Sequence, residues 1–280
     1  EWNGGELDSF LIEITANILR FRDEDGKPLL DKILDVAGQK GTGKWSAIAA
    51  MDENDPLTLI TEAVYARLLS ALYPERVKAA SLYSGKWKVE SGKLSDNAQL
   101  STSNTQLSTF NFQLSIEDVR QALYAAKLVS YAQGFSLLRR ASEHYGWDLD
   151  YGTIARIWRK GCIIRSVFLQ KITDAYRKNP GLENLLFDDF FHSKIQACLP
   201  AWRRIVAEGA LSGVALPAMS SALSYFDGLR TLHSAANMIQ AQRDYFGAHT
   251  YERTDRERGH FFHTNWTGEG GNTVSGTYSV

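Results

Sequence analysis

Nowhere in the 280 residues does hydrophobicity alternate with the period of two that marks a half-buried strand; apolar residues recur instead at helical spacing. Leu7, Phe10, Leu11, Ile14 and Ile18 lay one apolar stripe on a helix over 7–22, and Leu57, Ile60, Val64 and Leu68 do the same over 56–72. Asp55 followed by Pro56 predicts an N-cap and first helical position for the second of these, with Pro74 closing it. Ser115 and Asp118 form a capping box that opens a long helix, in which Gly134 is expected at a close helix–helix contact. Further helices are predicted over 153–178, 181–197, 201–212 and 217–246, divided at Asn179-Pro180, Pro200 and a turn at 213–217. Short connections between amphipathic helices predict an all-α, multi-helix domain.

A composition that is 44% hydrophobic is enough to bury a sizeable core, and a net charge of −1 gives no global field to recruit nucleic acid or an anionic membrane. No apolar run reaches the roughly 20 residues a bilayer-spanning helix needs, and no signal-peptide pattern is seen. The two cysteines, Cys162 and Cys198, read as small apolar residues within helices, so a reducing, cytoplasmic setting is expected and the sequon at Asn265 reads as a chance match. The absence of a methionine at Glu1 suggests a piece of something longer.

The expected organisation is a helical domain over 1–250, interrupted by a polar insertion at 88–114, and an extended tail over 251–280. The tail has no helical stripe. Its Phe261, Phe262 and Trp266 need a surface to cover them, which predicts docking across a partner subunit. His260 and His263 have metal-ligand spacing but no third or fourth ligand nearby, so no metal site is expected.

The stretch GQKGTGKW, residues 38 to 45, crowds three glycines and two lysines together. Glycines let main-chain amides converge on an anion, and lysine neutralises it, so a phosphate or carboxylate is the expected guest. Gly38, Gly43 and Lys44 have GxxxxGK spacing, but Trp45 stands where a nucleotide-binding P-loop needs a Ser or Thr for magnesium. Two arginines fall on otherwise apolar stripes: Arg67, in line with Ile60 and Val64, and Arg243, in line with Ile239 and Phe246. An inward-facing arginine serves either a buried ion pair or an anion clamp. Gly247 is the expected stop of the last helix, and a chain turning there can aim Arg243 and His249 at one point.

The run Ile33, Asp35, Gly38, Gln39, Lys40, Gly41, Thr42, Gly43, Trp45 resembles the signature of the 6-phosphogluconate dehydrogenases. SYAQGF (130 to 135), GCIIRS (161 to 166), QAQRDYFGAHTYER (240 to 253) and FHTNWTG (262 to 268) resemble further blocks of that family in the same order. The resemblance implies the all-helical C-terminal domain of an enzyme that oxidises 6-phosphogluconate with NADP and releases carbon dioxide to give ribulose 5-phosphate. It matches Lys40, Thr42 and Arg67 to substrate ligands, and Arg243 and His249 to the pair supplied by the neighbouring subunit's tail region. The family's dinucleotide-binding domain and its catalytic lysine and glutamate have no counterpart here, so NADP would be held mainly outside this chain and no catalytic residue is assigned. A non-catalytic helical dimerisation module is the alternative.

Overall fold

The computed structural model describes residues 1–83, 114–159 and 161–268. The predicted polar insertion lies outside these apart from Leu114, as does the tail from 269 onward. The described residues contain ten α-helices: α1 (Phe10–Arg20), α2 (Thr42–Asp52), α3 (Thr58–Ala71), α4 (Tyr73–Tyr83), α5 (Ile116–Tyr145), α6 (Tyr151–Ile157), α7 (Leu169–Lys178), α8 (Asp189–Leu211), α9 (Pro217–Leu229) and α10 (Ala236–Gly247). The fold is all-α. Two short strands, β1 (Tyr251–Glu252) and β2 (Phe261–Phe262), pair antiparallel with Tyr251 opposite Phe262. None of the described helices is long and apolar enough to cross a membrane.

The core is built on α5 and α8. The Ser115 hydroxyl accepts from the Asp118 amide, and the Asp118 carboxylate accepts from the Ser115 amide, so the predicted capping box opens α5. Arg204 of α8 donates to the same carboxylate and holds it down to about pKa 2, with the Ser115 amide and hydroxyl adding to the effect. Trp202, Tyr124, Phe135 and Phe191 are fully buried between the elements. Each such side chain contributes about 1.5–3 kcal/mol through burial. The Trp202 indole nitrogen donates to the Met219 carbonyl at 3.2 Å, which satisfies the polar edge of the ring and draws α9 onto the core.

Contacts divide the chain into two compact units, Glu1–Phe226 and Asp227–Val280. Several predicted boundaries move. Pro200 lies inside α8: it is on the solvent side, while Ile195, Cys198, Ala201 and Trp202 anchor the opposite face, so the one missing hydrogen bond does not break the helix. α3 ends at Ala71, ahead of Pro74 as expected, and Pro74 itself sits in the first turn of α4, where its lack of an N–H costs nothing, so it also helps start the next helix. The stretches predicted as single helices over 153–178 and 217–246 each divide in two, and Cys162 falls in the connection between α6 and α7.

Candidate functional site: the glycine loop and its supports

Helix α2 begins inside the glycine loop. Gly41 is the N-cap with φ +100°, a left-handed conformation that costs a residue with a Cβ about 1–2 kcal/mol. The first intrahelical hydrogen bond runs from the Trp45 amide to the Gly41 carbonyl at 2.9 Å. The amides of Thr42, Gly43 and Lys44 therefore point out of the helix end with no intrahelical acceptor, and Gly41 has no side chain to cap them. Lys40 and Thr42 are both exposed at this end. Three amides, a hydroxyl and flanking ammonium groups at the positive end of a helix make an anion cradle. Gly43 acts through packing instead, because a Cβ there would lie 2.8 Å from Val64 Cγ2, and glycine is what lets α2 lie close on α3.

Three side chains strap the extended approach to this loop onto the next helices. Arg76 donates to the Asp35 carbonyl at 3.2 Å and pairs with its carboxylate, which the guanidinium holds below the usual range. The Ser70 hydroxyl accepts from the Ala37 amide at 2.9 Å, and Arg67 donates to the Gly38 carbonyl. Residues 67 and 70 share a helix face, so the strap runs along one side of α3. The expectation that Arg67 faces the inside is therefore corrected: it is exposed, because none of α3's residues is fully buried and its end of the stripe meets the loop, while Val64 meets α2. Ser70 and Arg76 carry no sequence signal beyond helical spacing.

Helix α3 is in turn docked on α5. The buried Gln133 amide accepts from the Leu59 amide at 3.0 Å and donates to the Thr58 hydroxyl at 2.8 Å. One turn and then two turns along α5, Ser136 and Arg140 donate to the Asp55 carboxylate at 2.7 and 3.0 Å. The prediction that Asp55 caps α3 is corrected, since the helix starts at Thr58 with no side-chain cap and the carboxylate turns toward α5 instead. Gly134 is also not at a close contact: a Cβ there meets nothing within 4 Å. It lines a cavity of about 470 Å³, together with Leu7, Ile12, Leu59, Lys127 and Trp158.

The second unit carries the other two predicted ligands. Arg243 and the stripe residues Ile239 and Phe246 are exposed on α10. The helix runs through Gly247, and the turn is made by Ala248, at φ +50°. Arg243 donates to the Gln240 side-chain oxygen at 3.2 Å, and the Gln240 nitrogen donates to the carbonyls of His249 and Thr250 at 2.9 and 2.6 Å. Sequence reading missed Gln240, and it missed Asp244 as well. The fully buried Asp244 carboxylate accepts from His263 Nδ1 at 2.9 Å, the Thr264 amide at 3.1 Å and the Trp266 indole at 2.8 Å. Residues 262–266 thus fold back onto α10 of the same chain, while Phe261 stays exposed. Among the described residues no three potential metal ligands gather, and His263 is engaged by Asp244.

The described residues make an all-helical domain that presents a glycine-and-lysine loop at an uncapped helix N-terminus, with a tail folded back on a separate unit. The chain belongs to the 6-phosphogluconate dehydrogenase family, matching the model of its C-terminal domain over residues 1–266. It is 54% identical over 282 residues to the decarboxylating 6-phosphogluconate dehydrogenase of Mus musculus and 51% identical over 280 residues to that of Haemophilus ducreyi. Each match covers 100% of this chain and 54% of the relative, so the chain spans about half the length of the relatives it matches. The solved structure of Plasmodium falciparum 6-phosphogluconate dehydrogenase, described as apo, with its cofactor NADP+ and with its substrate 6-phosphogluconate, superposes with a TM-score of 0.80. It is 43% identical, over 95% of this chain and 53% of that one.

Proposed function

We propose that this chain is the substrate-binding and dimer-forming C-terminal part of a cytoplasmic, NADP-dependent 6-phosphogluconate dehydrogenase, which converts 6-phosphogluconate to ribulose 5-phosphate and carbon dioxide. The observation that carries the reading is the open α2 N-terminus, with Lys40 and Thr42 on it and Arg67 bonded to the loop that leads into it. Lys40 supplies a point charge, Thr42 a hydroxyl, and Arg67 a planar fork with donors to spare beyond the Gly38 carbonyl. These groups suit the substrate phosphate. Arg243 and His249 of the partner subunit bind the rest of the sugar acid in a homodimer with exchanged tails, a role supported by the family match and by the exposed Ile239 and Phe246 on α10. Holding the phosphate fixes the reacting carbons at a distance, which is how remote binding energy serves a reaction.

The described residues do not fit NADP: their only sheet has two residues per strand, and the glycine loop follows exposed coil, with no parallel strand before it. The cofactor is assigned to the part of the relatives that lies outside this chain. The test is the KM for 6-phosphogluconate in the whole natural polypeptide after Arg67→Ala and Arg243→Ala. Each lost charge-assisted bond should raise it about 10- to 100-fold. Unchanged values for both would sink the reading.

A further inference from the structure

We infer that Gln240 and Gly247 are positioning residues that aim Arg243 and His249, the two substrate ligands proposed for the second unit. The inference rests on that reading of Arg243 and His249. Gln240 sits one turn before Arg243 on α10, and its side-chain amide works in both directions. The oxygen accepts from Arg243 Nη1 at 3.2 Å, while the nitrogen donates to the His249 carbonyl at 2.9 Å and the Thr250 carbonyl at 2.6 Å. One planar group therefore fixes the guanidinium at one end and the main chain that carries the imidazole at the other. An isosteric leucine could do neither, and a glutamate could do only the first.

Gly247 sets the ring itself. A Cβ at this position would lie 2.7 Å from both Cδ2 and Nε2 of His249, so the imidazole rests directly on the glycine, with Phe246 edge-on to it at 6.1 Å. The turn that makes this possible is Ala248 in the left-handed region, its amide bonded back to the Asp244 carbonyl at 2.9 Å. Alanine at 247 would push the ring away before it disturbed the helix, because a side chain rotates more easily than a capped helix end moves. Both residues thus hold groups that a ligand would meet, yet neither needs to touch the ligand.

The experiment is steady-state kinetics of the whole natural polypeptide with Gln240→Leu, Gln240→Glu and Gly247→Ala, each alone and in an Arg243→Ala, His249→Ala background. Expected is a KM for 6-phosphogluconate raised about tenfold by Gln240→Leu and by Gly247→Ala, and less by Gln240→Glu. The KM for NADP and the thermal midpoint stay at their starting values, and neither substitution adds anything in the doubly substituted background. Should Gln240→Leu fail to fold, Gln240→Glu and Gly247→Ala decide the matter. A parallel rise in both KM values with a lowered midpoint, or an effect that persists without Arg243 and His249, overturns the inference by making the two residues merely structural. If Arg243→Ala and His249→Ala raise the substrate KM while the Gln240 and Gly247 variants do not, the positioning role alone falls. If Arg243→Ala and His249→Ala themselves change nothing, the substrate reading of this unit falls with it.

Discussion

The Arg67 guanidinium donates to the main-chain carbonyl of Gly38, so the helix that carries the cation also holds the loop that would share its anion. A lysine there keeps the charge but lacks the fork needed to grip a carbonyl and an anion together. Arg67→Lys should speed amide hydrogen exchange of residues 36–41 several-fold while exchange in α5 and α8 stays slow. A loop that exchanges as before would show that Ser70 and Arg76 suffice to hold it.

Gly43 meets Val64 too closely for any side chain, since a Cβ would fall 2.8 Å from the valine methyl. Gly43→Ala should destabilise the chain by about 1–3 kcal/mol through overpacking. Adding Val64→Ala should recover most of that loss, read as the urea midpoint. A double variant no better than Gly43→Ala would place the cost in the loop rather than between α2 and α3.

Gln133 is fully buried and satisfies the first turn of α3 with both ends of its amide. Gln133→Leu keeps the volume but strands the Leu59 amide, at a cost of about 1–3 kcal/mol. Because α3 carries Arg67, phosphate protection of the glycine loop should weaken in the same variant, as followed by limited proteolysis. Unaltered stability would mean that water replaces the glutamine.

Burial pushes the Lys127 ammonium down to about 8, with Asp8 opposing the shift. Its Nζ donates to the Ser166 hydroxyl at 3.0 Å and lies 5.2 Å from the Phe168 ring centre. A lysine whose folded pKa is depressed penalises the fold below that pKa, and the penalty fades as pH rises from about 8 toward the unfolded value near 10.4. Lys127→Met should therefore raise the thermal midpoint at pH 7, worth about 1–3 kcal/mol, with the gap closing by about pH 10. A gap that is constant across this range would trace the effect to packing alone.

Burial raises the Asp244 carboxyl, but its donors His263, Thr264 and Trp266 outweigh that and leave it below the usual range. Its stabilisation of the folded-back tail is present above the unfolded carboxylate pKa of about 3.9 and is lost as pH falls through the lower folded value. The Trp266 indole proton should lose its protected NMR position in that acid window, and already at neutral pH in Asp244→Ala. If the indole signal is indifferent to both, the tail is held by its ring contacts instead.

The helical class was legible because amphipathic spacing is a local property: Ser115 and Asp118 cap α5 through bonds to each other. The glycine loop was legible for the same reason at Gly41, whose left-handed N-cap conformation is a local demand, whereas the need for glycine at 43 comes from Val64 on α3. What tertiary structure decided was direction. Arg67 shares a stripe with Ile60 and Val64, yet only Ile60 reaches the cavity beside the core while Val64 meets Gly43 and Arg67 meets the loop, because Gln133 docks α3 by its first turn and Ser136 and Arg140 hold Asp55 just before it. The same holds for Asp55, drawn from a capping position to Ser136 and Arg140, each more than 80 positions away. Periodicity marks which residues share a face; only the packed partners, far off in sequence, settle what that face sees.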